Sequence, residues 1–131
     1  MRSYKELDAW KLSMELAKKI YEITDTFPAR EIYGLSSQMQ RAAVSVPSNI
    51  AEGSGRNSKK EFVQFIYLSR GSLLELETQL ELSKMLDYLH EEKYNNTARL
   101  IARVHKIING LIFSLKNSRT TDNQQPTTSK G

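Results

Sequence analysis

The chain has 131 residues, 39% hydrophobic and 26% charged, with a formal net charge of +4 and no cysteine. That length suits one domain around a single hydrophobic core. The absence of cysteine excludes disulfides, thiolate metal sites and thiol nucleophiles, and no apolar run is long enough to span a bilayer. Residues 1–6 contain no apolar stretch of the kind a secretory leader needs, so a cytoplasmic protein is expected.

Apolar residues at Leu7, Trp10, Met14, Ala17 and Tyr21 step by three and four. A second stripe, Leu12, Leu16, Ile20, Ile23 and Phe27, lies beside it. Two adjacent stripes give one helix a face broad enough to meet two neighbours. Pro28 ends this helix, because the residue before a proline avoids the helical region. A second helix is expected over residues 30–53, carried by Leu35, Met39, Ala42, Val46 and Ile50. Pro47 falls inside that pattern and removes a backbone donor, so a kink or break is expected near Ala43. Gly53-Ser54-Gly55 stops the stretch, with glycine available for left-handed or extended geometry.

Ser58-Lys59-Lys60-Glu61 reads as a capping box that opens a third helix. Phe62, Ile66, Ser69, Leu73, Leu76 and Leu80 form its seam, and the helix is expected to reach about Leu89. A fourth helix starts near Glu91, where Glu91 and Glu92 suit the positive end of its dipole. Its seam is Ala98, Ile101, His105, Ile108, Ile112 and Leu115. No strand pattern competes. The fold expected is all-α, an antiparallel up-down four-helix bundle over residues 1–116 whose second helix contains a proline. Residues 117–131 hold no apolar side chain and are expected to form a disordered polar tail.

Residues 90–116 carry five basic groups against two acidic ones, the largest local excess in the chain. Within them Arg99, Arg103 and Lys106 form one basic stripe, and Lys93 and Lys116 add to the local charge. Such a stripe either faces water or contacts phosphates, and no aromatic residue is interleaved with it for base stacking. In the second helix Gln38, Arg41, Ser45, Ser48 and Glu52 share one face beside Asn49. The third helix offers Arg70, Ser72, Glu75, Glu77 and Gln79 opposite them. This polar line has three readings: a solvated face, a hydrogen-bonded network between helices, or a catalytic cluster built on Arg41, Glu52 and Glu75. His90 and His105 lack partners at metal-ligand spacing, so no metal site or cofactor is expected. Gly53-Ser54-Gly55-Arg56 reads as a helix-ending turn, with a phosphate-binding nest as the alternative.

The run Leu35-Ser36-Ser37-Gln38-Met39-Gln40-Arg41-Ala42-Ala43-Val44-Ser45-Val46-Pro47-Ser48-Asn49-Ile50-Ala51-Glu52-Gly53 resembles the signature of the 23S ribosomal RNA intervening-sequence proteins, also called four helix bundle proteins. Leu7-Asp8-Ala9-Trp10-Lys11, Phe27-Pro28-Ala29-Arg30-Glu31-Ile32-Tyr33-Gly34-Leu35 and Gly71-Ser72-Leu73-Leu74-Glu75 support the match, which covers roughly residues 4–116. Arg70 departs from the pattern, which has a small residue before Gly-Ser. The resemblance implies a bacterial, cytoplasmic bundle and a homopentameric ring. Related bundles serve as accessory variability proteins of diversity-generating retroelements, in contact with a reverse transcriptase and nucleic acid. Arg41, Asn49, Glu52, Arg56, Ser72 and Glu75 match signature positions, and the resemblance carries no catalytic residue to this chain. The leading expectation is a non-enzymatic homo-oligomeric scaffold that binds RNA or DNA. The alternative is a protein-binding adaptor with no nucleic-acid role.

Overall fold

The computed structural model describes residues 3–118. Helix α1 is Asp8–Thr24, α2 is Leu35–Ser54, α3 is Lys59–Met85 and α4 is Glu91–Asn117, with short 3₁₀ turns at Tyr4–Glu6 and Ala29–Glu31. Each helix packs on the two next to it in a ring: α2 on α1 and α3, α4 on α3 and α1. Short connections between such neighbours give the up-down bundle expected from the sequence. The polar tail expected from residue 117 lies outside the described residues except for Asn117, the last residue of α4, and Ser118, its cap.

Of the two stripes on α1, the second fills the core: Leu12, Leu16, Ile20, Ile23 and Phe27 are all buried. Met14 and Tyr21, from the first stripe, are about half exposed. Met39, Val46 and Ile50 of α2, Ile66, Leu73 and Leu76 of α3, and Ile101, Val104 and Ile108 of α4 complete the interior. Removing each such side chain from water stabilises the fold by roughly 1.5–3 kcal/mol before entropy is counted.

Helix α2 departs from expectation in two ways. It starts at Leu35 rather than near Arg30, because Ala29–Glu31 forms a separate turn. Of the kink or break expected near Ala43, the break does not occur, and the helix runs on through Pro47. Pro47 has no amide hydrogen to give the Ala43 carbonyl one turn back. Ser69 Oγ on α3 donates to the Val46 carbonyl at 2.8 Å. Asn49 Nδ2 donates to the Ser45 carbonyl at 2.9 Å. These bonds hold the segment around Pro47, the first against α3 and the second within α2, and neither replaces the donor that the Ala43 carbonyl lacks.

Gly53 serves packing rather than a turn. A Cβ there would stand 2.6 Å from Phe65 Cβ and 3.0 Å from Phe62 Cδ1. Neither it nor Gly55 has positive φ. The Gly55 and Arg56 amides donate back to the Glu52 and Gly53 carbonyls, so the segment is a helix-ending turn and its amides are used within the chain.

Ser58 Oγ accepts from the Glu61 amide at 3.1 Å, as the capping-box motif implies. The far end of α3 stops at Met85, four residues short of expectation. Asp87 adopts φ 62°. The Asp87 amide donates to Lys84 and the Tyr88 amide to Ser83, the paired bonds of a Schellman ending. Apolar spacing continued past this point, but Leu89 now enters the core from the loop.

Glu31 fastens that loop to α2. Its Oε1 accepts from the Leu35 amide at 2.9 Å, and its Oε2 accepts from the Tyr88 hydroxyl at 2.7 Å. The Tyr88 hydroxyl first, then the Leu35 amide, hold the Glu31 carboxyl below its usual pKa, against a smaller desolvation effect. The same bond raises the Tyr88 phenol.

Three outcomes are expected. Gly53→Ala should destabilise the fold by about 2 kcal/mol in urea titration, because overpacking outweighs the gain in helix propensity. The same change at Gly71, where an added Cβ meets nothing within 4 Å, should stabilise it. Glu31→Gln should open a stability gap to the wild type at neutral pH. A depressed carboxylate pKa contributes stability above the unfolded value and loses it as pH falls through the folded one. The gap should therefore close as pH drops below the ordinary carboxyl value of 4.5.

Candidate functional site

Helix α4 buries Thr97, Ile101, Val104, Ile108 and Ile112 on one side. At about 100° per residue, Arg99, Arg103 and Lys106 fall within roughly 60° of one another, on the opposite side. All three are exposed. Among the described residues none of them has an ion-pair partner; Arg99 donates to Asn96 Oδ1 on its own helix. Two residues that sequence reading left out continue the line. Gly110 is exposed with open space at its Cβ position, and Phe113 is 70% exposed. An aromatic ring therefore does lie on this face, beyond Lys106 rather than between the cations. The 3.6-residue period alone would have found it. Glu92 occupies the same line two turns before Arg99.

The other two cations of this segment point elsewhere. Lys93 lies toward α1, in a small depression shared with Lys19, Glu22 and Asn96. Lys116 turns toward α3, where its Nζ donates to the Tyr67 hydroxyl at 2.9 Å. They add to the helix's charge but not to the stripe.

The polar line on α2 divides. Its inner edge forms a network with α3: Ser72 Oγ donates to Ser45 Oγ at 2.8 Å, and Asn49 Nδ2 reaches the same Ser45 Oγ at 3.0 Å. The charged members stand outside it. Arg41, Glu52 and Glu75 are exposed, so they make no buried ion pair between α2 and α3. Burying both charges would have cost more than their attraction returns. Arg41 and Glu75 flank an open notch of about 160 Å³ with Gln38, Ser45 and Ser72. Glu52 pairs instead with Arg56 one turn later, at 2.9 Å. The Arg56 guanidinium lies 4.6 Å from the centre of the Phe65 ring.

Arg70, the departure from the family pattern, does not disturb the packing. It crosses the outside of the α3–α4 boundary to Asn109 Oδ1 at 2.9 Å and lies over the Tyr67 ring at 5.0 Å. His105 is half-buried on the same boundary, with Nε2 3.5 Å from Glu77 Oε1. His90 is exposed at the start of α4. Among the described residues no group of three or more His, Asp or Glu side chains is placed to hold a metal ion.

These features define a class: an up-down four-helix bundle whose polar groups either tie helices together or face outward along single helices. Over residues 5–110 the chain matches the family of the 23S rRNA-intervening sequence protein, and it belongs to that family. A solved structure with a similar fold is a protein of unknown function from the S23 ribosomal protein family of Bacteroides thetaiotaomicron. It is 22% identical, with a TM-score of 0.74 over 80% of this chain and 95% of that one. At that identity the likeness speaks for the fold alone. Among curated proteins no match is found.

Proposed function

We propose that this protein is a non-enzymatic, self-associating scaffold that binds RNA or DNA through the outer face of α4. The observation that carries this reading is the alignment of Arg99, Arg103 and Lys106, exposed and without acidic partners, directly opposite the core. Unpaired cations on a rigid helix can each release a counterion from a phosphate backbone. Phe113 offers a ring for base stacking at one end of the stripe, and Gly110 lets a strand approach the helix closely.

Self-association is supported by apolar surface that the bundle leaves uncovered. Leu68, Leu74, Leu82 and Met85 are exposed along the outer side of α3 by 56%, 51%, 43% and 78%. Gly71 opens a gap among them. Several large apolar side chains exposed on one helix are a mark of interaction sites. The family resemblance favours a ring of five copies, which would multiply a weak stripe into a tighter binder through effective concentration. A cytoplasmic location is part of this proposal and rests on the family resemblance; among the described residues no helix is long and apolar enough to cross a membrane.

Binding should weaken by roughly 20- to 40-fold between 50 and 200 mM salt if three phosphates are neutralised per copy. Arg99→Ala, Arg103→Ala and Lys106→Ala together should abolish binding and leave helicity intact by circular dichroism. Gly110→Ala should stabilise the fold yet weaken binding. No affinity at low salt for single- or double-stranded RNA or DNA would remove the nucleic-acid part and leave the protein-binding adaptor. For assembly, light scattering should give several times the 15.0 kDa chain mass. Leu74→Glu with Leu82→Glu should reduce it to one chain. A wild type that stays monomeric at high concentration contradicts self-association.

A further inference from the structure

The start of α3 and the end of α4 border an open surface cavity of about 460 Å³ that the stripe on α4 does not include. Lys59, Lys60 and Lys116 line it, together with Gln64 and Tyr67, and no acidic side chain is among its lining residues. The position is set by the fold. Lys59 Nζ donates to the Ser118 carbonyl and hydroxyl oxygens at 3.4 and 3.0 Å, which fastens the last turn of α4 to the first turn of α3. Lys116 Nζ donates to the Tyr67 hydroxyl.

These contacts leave most of the donors free. Each ammonium carries three N–H groups. Lys59 uses two on Ser118, Lys116 uses one on Tyr67, and Lys60 uses none within the described residues. The Tyr67 hydroxyl accepts from Lys116 and keeps its own proton to donate. Lys116 also holds the Tyr67 phenol below its usual pKa, which makes it a better donor. Three ammonium groups around one cavity repel one another, and an anion between them removes that repulsion. Val63 and Leu115 supply an apolar wall, so the cavity also suits a ligand with an uncharged body. Its volume is in the range of small-molecule sites.

We infer that this cavity is a binding site for the phosphate group of a nucleotide, held by Lys59, Lys60 and Lys116 and by the Tyr67 hydroxyl, with the body of the ligand against Val63 and Leu115. The site does not rest on the α4 stripe. Lys116 lies about 15 Å further along the helix than Lys106 and is turned roughly 80° toward α3. The phosphate could arrive on a free mononucleotide or as the 5′ end of a strand, and the two sources give different results below.

The test uses the full chain at constant ionic strength, with inorganic phosphate, AMP and a short 5′-phosphorylated oligonucleotide as probes. Amide resonances around Lys60, Gln64, Tyr67 and Lys116 should shift saturably with AMP. The melting temperature should rise with AMP and not with an equal ionic strength of chloride. Lys60→Gln, at an exposed position without partners among the described residues, should weaken AMP binding about tenfold and leave the circular dichroism unchanged. Lys60→Gln with Lys116→Gln should remove it. Alanine at Arg99, Arg103 and Lys106 should leave AMP affinity unaltered, so this inference and the nucleic-acid reading fail independently. AMP binding tighter than the oligonucleotide supports a free nucleotide. Tighter oligonucleotide binding that requires Lys60 and the 5′-phosphate supports a strand end. The inference is overturned if millimolar phosphate and AMP produce no saturable shift, or if the shift survives in the double variant.

Discussion

The bundle depends on the close approach of α2 and α3, its most extensively packed pair. Small residues make that approach possible. Gly53 admits Phe62 and Phe65, and Ser45, Ser69 and Ser72 let the two backbones come near enough for hydroxyls to bridge them. The bond from Ser69 to the Val46 carbonyl ties the residue before Pro47 to α3. Each hydroxyl contributes on the order of 1 kcal/mol when paired, and would cost more if buried alone. The signature residues that form the inner edge of the polar line therefore set the distance and register of two helices.

That constraint explains why function has to be sought on the outside. Leu16, Met39, Leu73 and Ile108 are among the side chains that fill the interior. The groups with chemistry to offer, Arg41, Glu52 and Glu75 among them, are exposed. A bundle of this kind presents straight, rigid faces. Here the outer face of α4 carries cations and a phenylalanine, and the outer face of α3 carries leucines and a methionine. One face suits a polyanion and the other suits apolar contact.

Much of this was legible in the sequence, because helical period converts directly into faces. Ile66, Leu73, Leu76 and Leu80 were placed on the α3 seam and are buried, and Ser58 caps as its motif implies. Misreadings arose where tertiary contacts override local rules. The sequence of α2 around Pro47 predicts a kink or break, and the helix continues there with α3 packed against it and Ser69, 23 residues away, bonded to the Val46 carbonyl. The stop of α3 at Met85 depends on Asp87 taking a left-handed conformation, which apolar spacing does not report. The polar line could not be divided into inner and outer members without knowing where α3 lies. Phe113 and the Lys59–Lys60–Lys116 cavity had different causes. The ring was accessible to the period argument and was overlooked, whereas the cavity joins residues from opposite ends of two helices.

The central claim is that the inner polar residues build the scaffold and the outer faces act. A double-mutant cycle on Ser45→Ala and Ser72→Ala, read by urea denaturation and by RNA affinity on the same samples, tests it most directly. The account predicts a coupling of roughly 0.5–1.5 kcal/mol in stability and no change in affinity while the protein remains folded. Unchanged stability together with lost affinity would contradict it, since these hydroxyls would then belong to a binding site rather than to the seam between α2 and α3.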